Sequence, residues 1–456
     1  MQEKSVITRE VAVAQGPFAP GHLGELTQIV DFDLVDAVLE DTGRTQRRIR
    51  VLPSRVVYFV LALAVFERVG YRGVWSKLVA GLEGLPVAWP TSGALSRARR
   101  RVGAAPFRAL FEVLAGPVAW RNTPGAFWRG LHTVALDGTT LQVPDAPANR
   151  TTFGTRKAKG GGENGYPLLR LLVLVETGTR AVLGAVFGPF REGETTYAPA
   201  LFGHLRAGML LLADRGFDGW ELMKAIQAEG ADFLIRSRLA RTPLVLRRLP
   251  DGSYLSVFGY GRLPVRIIEA DITVAFADGS RRQEQWRLVT SLMDHDRYPA
   301  GALVRLYHER WEVETALYSV KCTLLGGRVL RSGLPQDIEQ EIYALLTVYQ
   351  ALRIAMADAA ATMPGLDPDR MSFTVALETA CDQIIAAAGV LIETAVDMAG
   401  SIGRALLREK PLPRRNRTNP RSKKRPTSKY AASAIGEPKT TRRYTLHTNV
   451  TRPQSP

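Results

Sequence analysis

The chain has 456 residues, 46% of them apolar, enough for two or three folded domains and incompatible with a disordered protein. Its two cysteines, Cys322 and Cys381, make no CxxC pair and join no His/Cys cluster, which argues against a zinc site or disulfide framework and for a reducing compartment. The net charge of +16 is concentrated late: from Lys410 onward 13 Lys and Arg face one acid, Glu437, and the remaining body carries only +4.

Residues 1–15 mix charges of both signs without an apolar core and do not read as a signal peptide. Val56 to Phe66, the most membrane-like run, is about half the length a bilayer requires and reads as a buried helix. A soluble, cytoplasmic protein with no membrane partner is expected. Residues 1–125 form an expected helical domain, with one helix from Ser54, its cap, through Leu82. A turn at Trp89-Pro90-Thr91-Ser92 leads into a second helix, GALSRARRRVGAAPFRALFEVLA. Arg97, Arg99, Arg100 and Arg101 cluster there, with Leu95, Ala98 and Val102 as packing residues. Such a helix fits a DNA-contacting element through Arg97, Arg100 and Arg101, and equally the solvated face of an ordinary bundle.

At Leu131 the pattern changes. HTVALDGTTLQV places β-branched and apolar residues on both sides of an Asp-Gly step, a hairpin signal. A polar, glycine-rich stretch follows, RTTFGTRKAKGGGENGYP. Strands are then expected over Leu168–Glu176 and Ala181–Phe190, and a helix over Tyr197–Leu205. The buried strand MLLLA, the helix WELMKAIQAEG and the strand ADFLIRS come next. Three strands in hairpin order, then alternating helix and strand, describe an α/β domain of ribonuclease-H type. A β-rich insertion is expected over 237–292, where apolar and polar residues alternate around DG and GYG turns. Long helices return from Pro299. The expected division is a helical domain over 1–125, a catalytic core over 126–345, C-terminal helices over 346–405 and a basic, disordered tail over 406–456. That tail suits a polyanion through counterion release, or serves only solubility.

Metal-assisted phosphodiester cleavage needs two or three carboxylates around a pair of Mg²⁺ ions, which activate the attacking oxygen and stabilise the leaving one. Asp137 follows TVAL and Asp214 follows LLLA, two aspartates at the ends of buried runs. Either alone reads as a turn or capping residue. Together, on neighbouring strands, they point to a metal site, because an unpaired buried charge is costly. In YHERWEVETALYSVK the residues Tyr307, Arg310, Glu314 and Lys321 stand at i, i+3, i+7 and i+14, one face of a regular helix. Trp311, Val313, Leu317 and Val320 are the expected packing residues. The polar face fits a site where Glu314 ligates metal and the cations meet phosphates, or a surface ion-pair ladder. The Gly160-Gly161-Gly162 run lacks the strand-then-helix context of a phosphate loop, so no organic cofactor is expected.

The Y-(2)-R-(3)-E-(6)-K spacing, with ALDGT and ADRGF upstream, resembles the DDE transposases of the insertion-sequence-four family. The resemblance runs from about Phe18 to Ala399 and takes in LPSRVVYFVLALAVF, SGALSRARRRVGAAPFRALF, GGRVLRSGLPQDIEQEIYALLTVYQALR and LDPDRMSFTVAL. It implies a ribonuclease-H-like core with a β-rich insertion, and Asp137, Asp214 and Glu314 as ligands of two Mg²⁺ ions, with Mn²⁺ as an alternative. It also implies that Tyr307, Arg310 and Lys321 bind transposon-end DNA. Trp286, in QEQWRLVTSL, occupies the place of a tryptophan that stacks on a flipped base. The implied reaction is cut-and-paste transposition through a hairpin intermediate. The implied partners are terminal inverted repeats, target DNA and a second copy of the chain, in the bacterial cytoplasm at the nucleoid. His308, Glu309 and Ser319 depart from the family pattern, outside the signature positions. A non-catalytic DNA-binding inhibitor or domesticated remnant, and a nuclease without strand transfer, are the rival readings.

Overall fold

The computed structural model describes residues 21–44, 53–82, 87–157, 163–276, 281–387, 400–408, 410–411 and 444–450. The chain opens with helices. Helix α1 (Phe32–Asp41) begins where the Asp31 carboxylate accepts from Leu34 N at 2.7 Å. Helix α2 (Pro53–Val65) carries proline in its first turn and is buried without interruption from Val56 to Val65, as an all-apolar surface requires. Helix α3 (Tyr71–Val79) follows a break. Helix α4 (Ser92–Val102) is capped by Thr91 and ends at Gly103, whose φ of 73° suits glycine, and α5 (Ala105–Leu114) restarts beyond it. Each of the two long helices read from the sequence is therefore a pair. Ser54 lies inside the first turn of α2 and does not cap it.

The first long strand, β1 (Leu131–Gln142), is continuous through Asp137-Gly138, so the expected hairpin turn there is absent. The polar stretch after it contributes a short helix, Pro147–Phe153, and two-residue strands at Arg156–Lys157 and Glu163–Asn164. Strands β2 (Leu168–Glu176) and β3 (Val182–Pro189) form the expected hairpin. Then come β4 (Met209–Ala213), α6 (Trp220–Ala228) and β5 (Asp232–Arg236). The insertion supplies β6 (Tyr254–Phe258), β7 (Leu263–Phe276) and β8 (Arg281–Thr290). The signature segment is less regular than its spacing implies. A helical piece at Ala300–Leu306 tightens into a 3₁₀ turn at Tyr307–Arg310, becomes α7 (Trp311–Tyr318) and widens into a π stretch at Ser319–Leu324. Helices α8 (Pro335–Ala361), α9 (Phe373–Ile385) and α10 (Gly400–Arg408) follow. Strand β9 (Tyr444–Val450) lies within the stretch read as a disordered tail, which does not hold for those seven residues.

The chain divides into two compact units. The first comprises Met1–Phe127, Asp137–His204 and Glu312–Pro411. Its core is built on α8, which packs against α2, α5 and α10 and buries Ile342, Leu346, Tyr349 and Leu352. The β2–β3 hairpin pairs from Leu169 with Pro189 to Val175 with Val182. The second unit comprises Trp128–Leu136, Leu205–Trp311 and Leu412–Pro456. There the first half of β1 runs parallel to β4 and β4 parallel to β5, the latter pair joined through α6 in a βαβ crossover. Strand β5 then pairs antiparallel with β8, β8 with β7, and β7 with both β6 and β9. This is a mixed sheet with a β-rich extension built from β6, β7 and β8.

Candidate active site

In the second unit the site is built around the end of β4. Its apolar residues are fully buried as far as Ala213, and Asp214 then turns the chain by capping a 3₁₀ turn, accepting from Gly216 N through Oδ1 at 2.7 Å. Its Oδ2 has no hydrogen-bond partner among the described residues. The Tyr307 hydroxyl donates to the Ala213 carbonyl at 3.0 Å, one residue before Asp214. Tyr307 is buried, and that burial raises its phenol pKa far above the usual range, so the donor stays protonated. Trp286, on β8, packs edge-on against Tyr307 with centroids 5.3 Å apart and lies 4.9 Å from the His308 ring. The Arg236 guanidinium sits over the Trp286 indole at 5.0 Å. Only 7% of Trp286 is exposed, so this conformation presents no open face to a base. Arg310 is buried and lies over the ring of Trp311, which is exposed and not the packing residue expected; Val313, Leu317 and Val320 are buried as expected.

Beside Asp214 opens a cavity of about 460 Å³, lined by Arg215, Arg236, Ser237 and Arg238 among others. Sequence reasoning passed over Arg236 and Arg238. The two arginines of LIRSR, one ending β5 and one just beyond it, are the available signal.

In the first unit Asp137 lies inside β1, where burial gives way to partial exposure, and its Oδ1 accepts from Gly138 N at 2.8 Å. A Cβ on Gly138 would fall 2.7 Å from Glu194 Oε1, and Glu194 is itself paired with Arg170 at 2.6 Å. A side chain at this position would have to displace the Glu194 carboxylate, so this glycine marks a close approach and not a turn. Glu314 is half-buried on α7, and Lys321 is half-buried on the π stretch. The 3₁₀ turn winds tighter and the π stretch wider than an α-helix, so the single-face argument does not carry from Tyr307 to Lys321. On α4, Arg97, Arg100 and Arg101 are exposed; Arg100 pairs with Asp337 at 2.9 Å, and the Arg101 carbonyl accepts from Arg44 at 3.4 Å. Arg99 is buried, donating to Gln340, Tyr71, Ser332 and the Asp337 carbonyl. It is a structural residue.

The β1–β4 ladder ends with Leu136 opposite Ala213, and the next residue of each chain segment is an aspartate. Among the described residues no group of three or more His, Cys, Asp and Glu is arranged to hold a metal ion. The donor chemistry of Asp137, Asp214 and Glu314 is that of hard carboxylate oxygens, which fits Mg²⁺ or Mn²⁺ and not a thiophilic metal.

Two family models match this chain in order: the N-terminal region of insertion element 4 transposases over residues 20–112, and the transposase DDE domain over 128–351. The chain belongs to the IS4 family of DDE transposases. It is 27% identical over 361 residues to transposase InsG for insertion sequence element IS4 from Escherichia coli (strain K12), covering 77% of this chain and 80% of that one. A solved structure, a piggyBac transposase synaptic complex with hairpin DNA, superposes with a TM-score of 0.42 at 11% identity, covering 84% of this chain and 80% of that one. The DDE domain match and the InsG relative make this transposase an enzyme of the polynucleotidyl transferase/nuclease class. Its mixed sheet is a ribonuclease-H-like core of a class that generally works with divalent metal ions. Among the described residues no helix is long and apolar enough to cross a membrane.

Proposed function

We propose that this transposase excises an insertion sequence at its terminal inverted repeats and joins it to target DNA by a cut-and-paste route with hairpin-ended intermediates. The observation that carries the reading is the ladder in which Leu136 and Ala213 are opposed, each followed at once by an aspartate, in a chain matched in order by both family models. Asp137, Asp214 and Glu314 would hold the divalent ions, Mg²⁺ or Mn²⁺. When bound, such ions activate the attacking oxygen and neutralise charge on the leaving one.

The chain's own residues supply positioning. The buried Tyr307 hydroxyl holds the strand end that precedes Asp214. Arg310 and Lys321 provide cations for the transposon-end phosphates, and the arginine-lined cavity beside Asp214 extends the same chemistry. Trp286 stacks on a displaced base only after its present packing opens. Arg97, Arg100 and Arg101 read or grip end DNA from α4, with Arg100 shared with Asp337. Synapsis of two ends calls for two copies of the chain, working at the bacterial nucleoid.

The test is cleavage of a linear duplex carrying the element's ends, with Mg²⁺, comparing wild type with Glu314→Gln. The expected result is nicked, hairpin-ended and joined products for wild type, and binding without cleavage for the variant. Equal cutting by both proteins removes Glu314 from the ligand set. Cutting without joining makes the protein a nuclease, and binding without cutting by both makes it a remnant.

A further inference from the structure

The first unit buries two arginines and two acids that no step above uses. Arg180 lies in the turn between β2 and β3, at a left-handed φ of 63°, a conformation in which only a small fraction of non-glycine residues are found. Backbone bonds close that turn, Arg180 N to the Glu176 carbonyl at 2.9 Å and Glu176 N to the Ala181 carbonyl at 3.0 Å. The side chain is 5% exposed and reaches Glu312, itself 5% exposed, with Nε 2.5 Å from Oε2. Its second partner is Asp369, beside α9, which is 1% exposed. The Arg180 carbonyl accepts from the Tyr349 hydroxyl at 2.8 Å, and that hydroxyl accepts from Arg353 Nε at 2.8 Å. Arg353 then donates to Ser319 Oγ at 3.2 Å, and Ser319 Oγ to the Thr315 carbonyl at 2.9 Å. Arg180 and Arg353 balance the charge of Glu312 and Asp369.

This network grips the signature helix on both sides of Glu314: at Glu312 before it, and at Thr315 and Ser319 after it. Helix α7 is only eight residues long, with a 3₁₀ turn before it and a π stretch after it. Neither end continues a regular α-helical hydrogen-bond pattern, so its rotation about its own axis has to be set from outside. Apolar packing would hold the helix in place at less desolvation cost than four buried charges. What the ionic contacts add is direction, because a carboxylate fixed by a guanidinium cannot turn freely.

We propose that Arg180, Glu312 and Asp369 are positioning residues that fix the rotation of α7 and so the aim of the Glu314 carboxylate toward the divalent ion, a role that rests on Glu314 being a ligand. The test is Mn²⁺ titration of the full-length protein, followed by electron paramagnetic resonance, alongside cleavage and end-DNA binding, for Glu312→Gln, Glu312→Asp and Glu314→Gln. For Glu312→Gln, Mn²⁺ affinity is expected to fall by about 10–100-fold, the usual cost of losing a partner that orients a ligand, while DNA affinity stays within about twofold. Glu312→Asp, which keeps the charge, is expected to recover most of that loss. Wild-type Mn²⁺ affinity in Glu312→Gln, whatever its thermal stability, overturns the proposal. If Glu312→Gln does not fold, Glu312→Asp decides: several-fold weaker Mn²⁺ binding supports the lock, and unchanged binding overturns it. If Glu314→Gln loses metal and cleavage while Glu312→Gln keeps both, only the lock fails. If Glu314→Gln behaves as wild type, the ligand assignment falls and the lock with it.

Discussion

His308 stands between two sequence positions with assigned roles, Tyr307 and Arg310, and its own behaviour follows from burial. Its ring lies against Trp286, and its Nε2 is buried without a hydrogen-bond partner among the described residues. Desolvation lowers its pKa to about 4, against an ordinary value of 6.5. The folded protein therefore keeps this ring neutral where the unfolded chain would protonate it. The resulting stabilisation is complete above pH 6.5 and is lost as the pH falls from there toward 4, an effect on the order of 3 kcal/mol in full. Replacing His308 with Phe keeps a ring against Trp286 and removes the titration. Urea denaturation at pH 7.5, 6 and 5 is expected to show a smaller acid-side loss in that variant than in wild type. An identical pH slope in the two proteins would mean that His308 already titrates normally in the folded state.

At the scale of elements, the joint between α2 and the segment leading into α8 depends on one side chain. Arg331 donates to the carbonyls of Phe66 at 2.7 Å, Val69 at 2.6 Å and Leu63 at 3.3 Å, closing the carboxyl end of α2. Leu63 lies in the last turn of α2, while Phe66 and Val69 belong to the connection that follows, so the guanidinium ties the helix end to its exit loop, where a cation also suits the helix dipole. The Arg331 backbone N–H is held in turn by the half-buried Glu341 carboxylate. Arg331→Met keeps most of the side-chain volume and removes all three of these donors, so a loss of about 2–4 kcal/mol in chemical denaturation is expected. The family segment GGRVLRSGLPQDIEQEI was legible in the sequence as a resemblance, but nothing in its pattern shows that Arg331 caps a helix more than 260 residues earlier. Local patterns gave the β2–β3 hairpin, the β4–α6–β5 alternation and the insertion strands, because apolar period and turn residues act within a few positions. Asp137-Gly138 misled because a glycine beside the Glu194 carboxylate within a strand has the same letters as a glycine in a turn. The shift from 3₁₀ to α to π across the signature segment is invisible to a reading that assumes one period. The Arg180 network joins residues up to 189 positions apart and leaves no local trace.

For the molecule as a whole, the charge is divided far more sharply than the fold. The stretch from 410 to 443 contains twelve Lys and Arg, while residues 1–409 carry only +4. Binding that releases counterions weakens in proportion to the phosphates neutralised, so this stretch is expected to govern salt dependence more than sequence preference. With those twelve residues changed to Gln, the slope of log affinity against log salt should become shallower by roughly 5–10 units on nonspecific duplex DNA. An unchanged slope would assign the stretch to solubility alone. Strand β9 begins just after it and pairs with Ala270–Phe276 of β7, about 170–180 residues earlier in the chain. During synthesis, at roughly 5–20 residues per second, that half of β7 waits some 10–35 seconds for its partner. For that interval a seven-residue strand edge stands open on every nascent chain, and crowded ribosomes on one message would hold many such edges close together. The rate of synthesis is therefore expected to set how much of the protein folds in time to reach DNA.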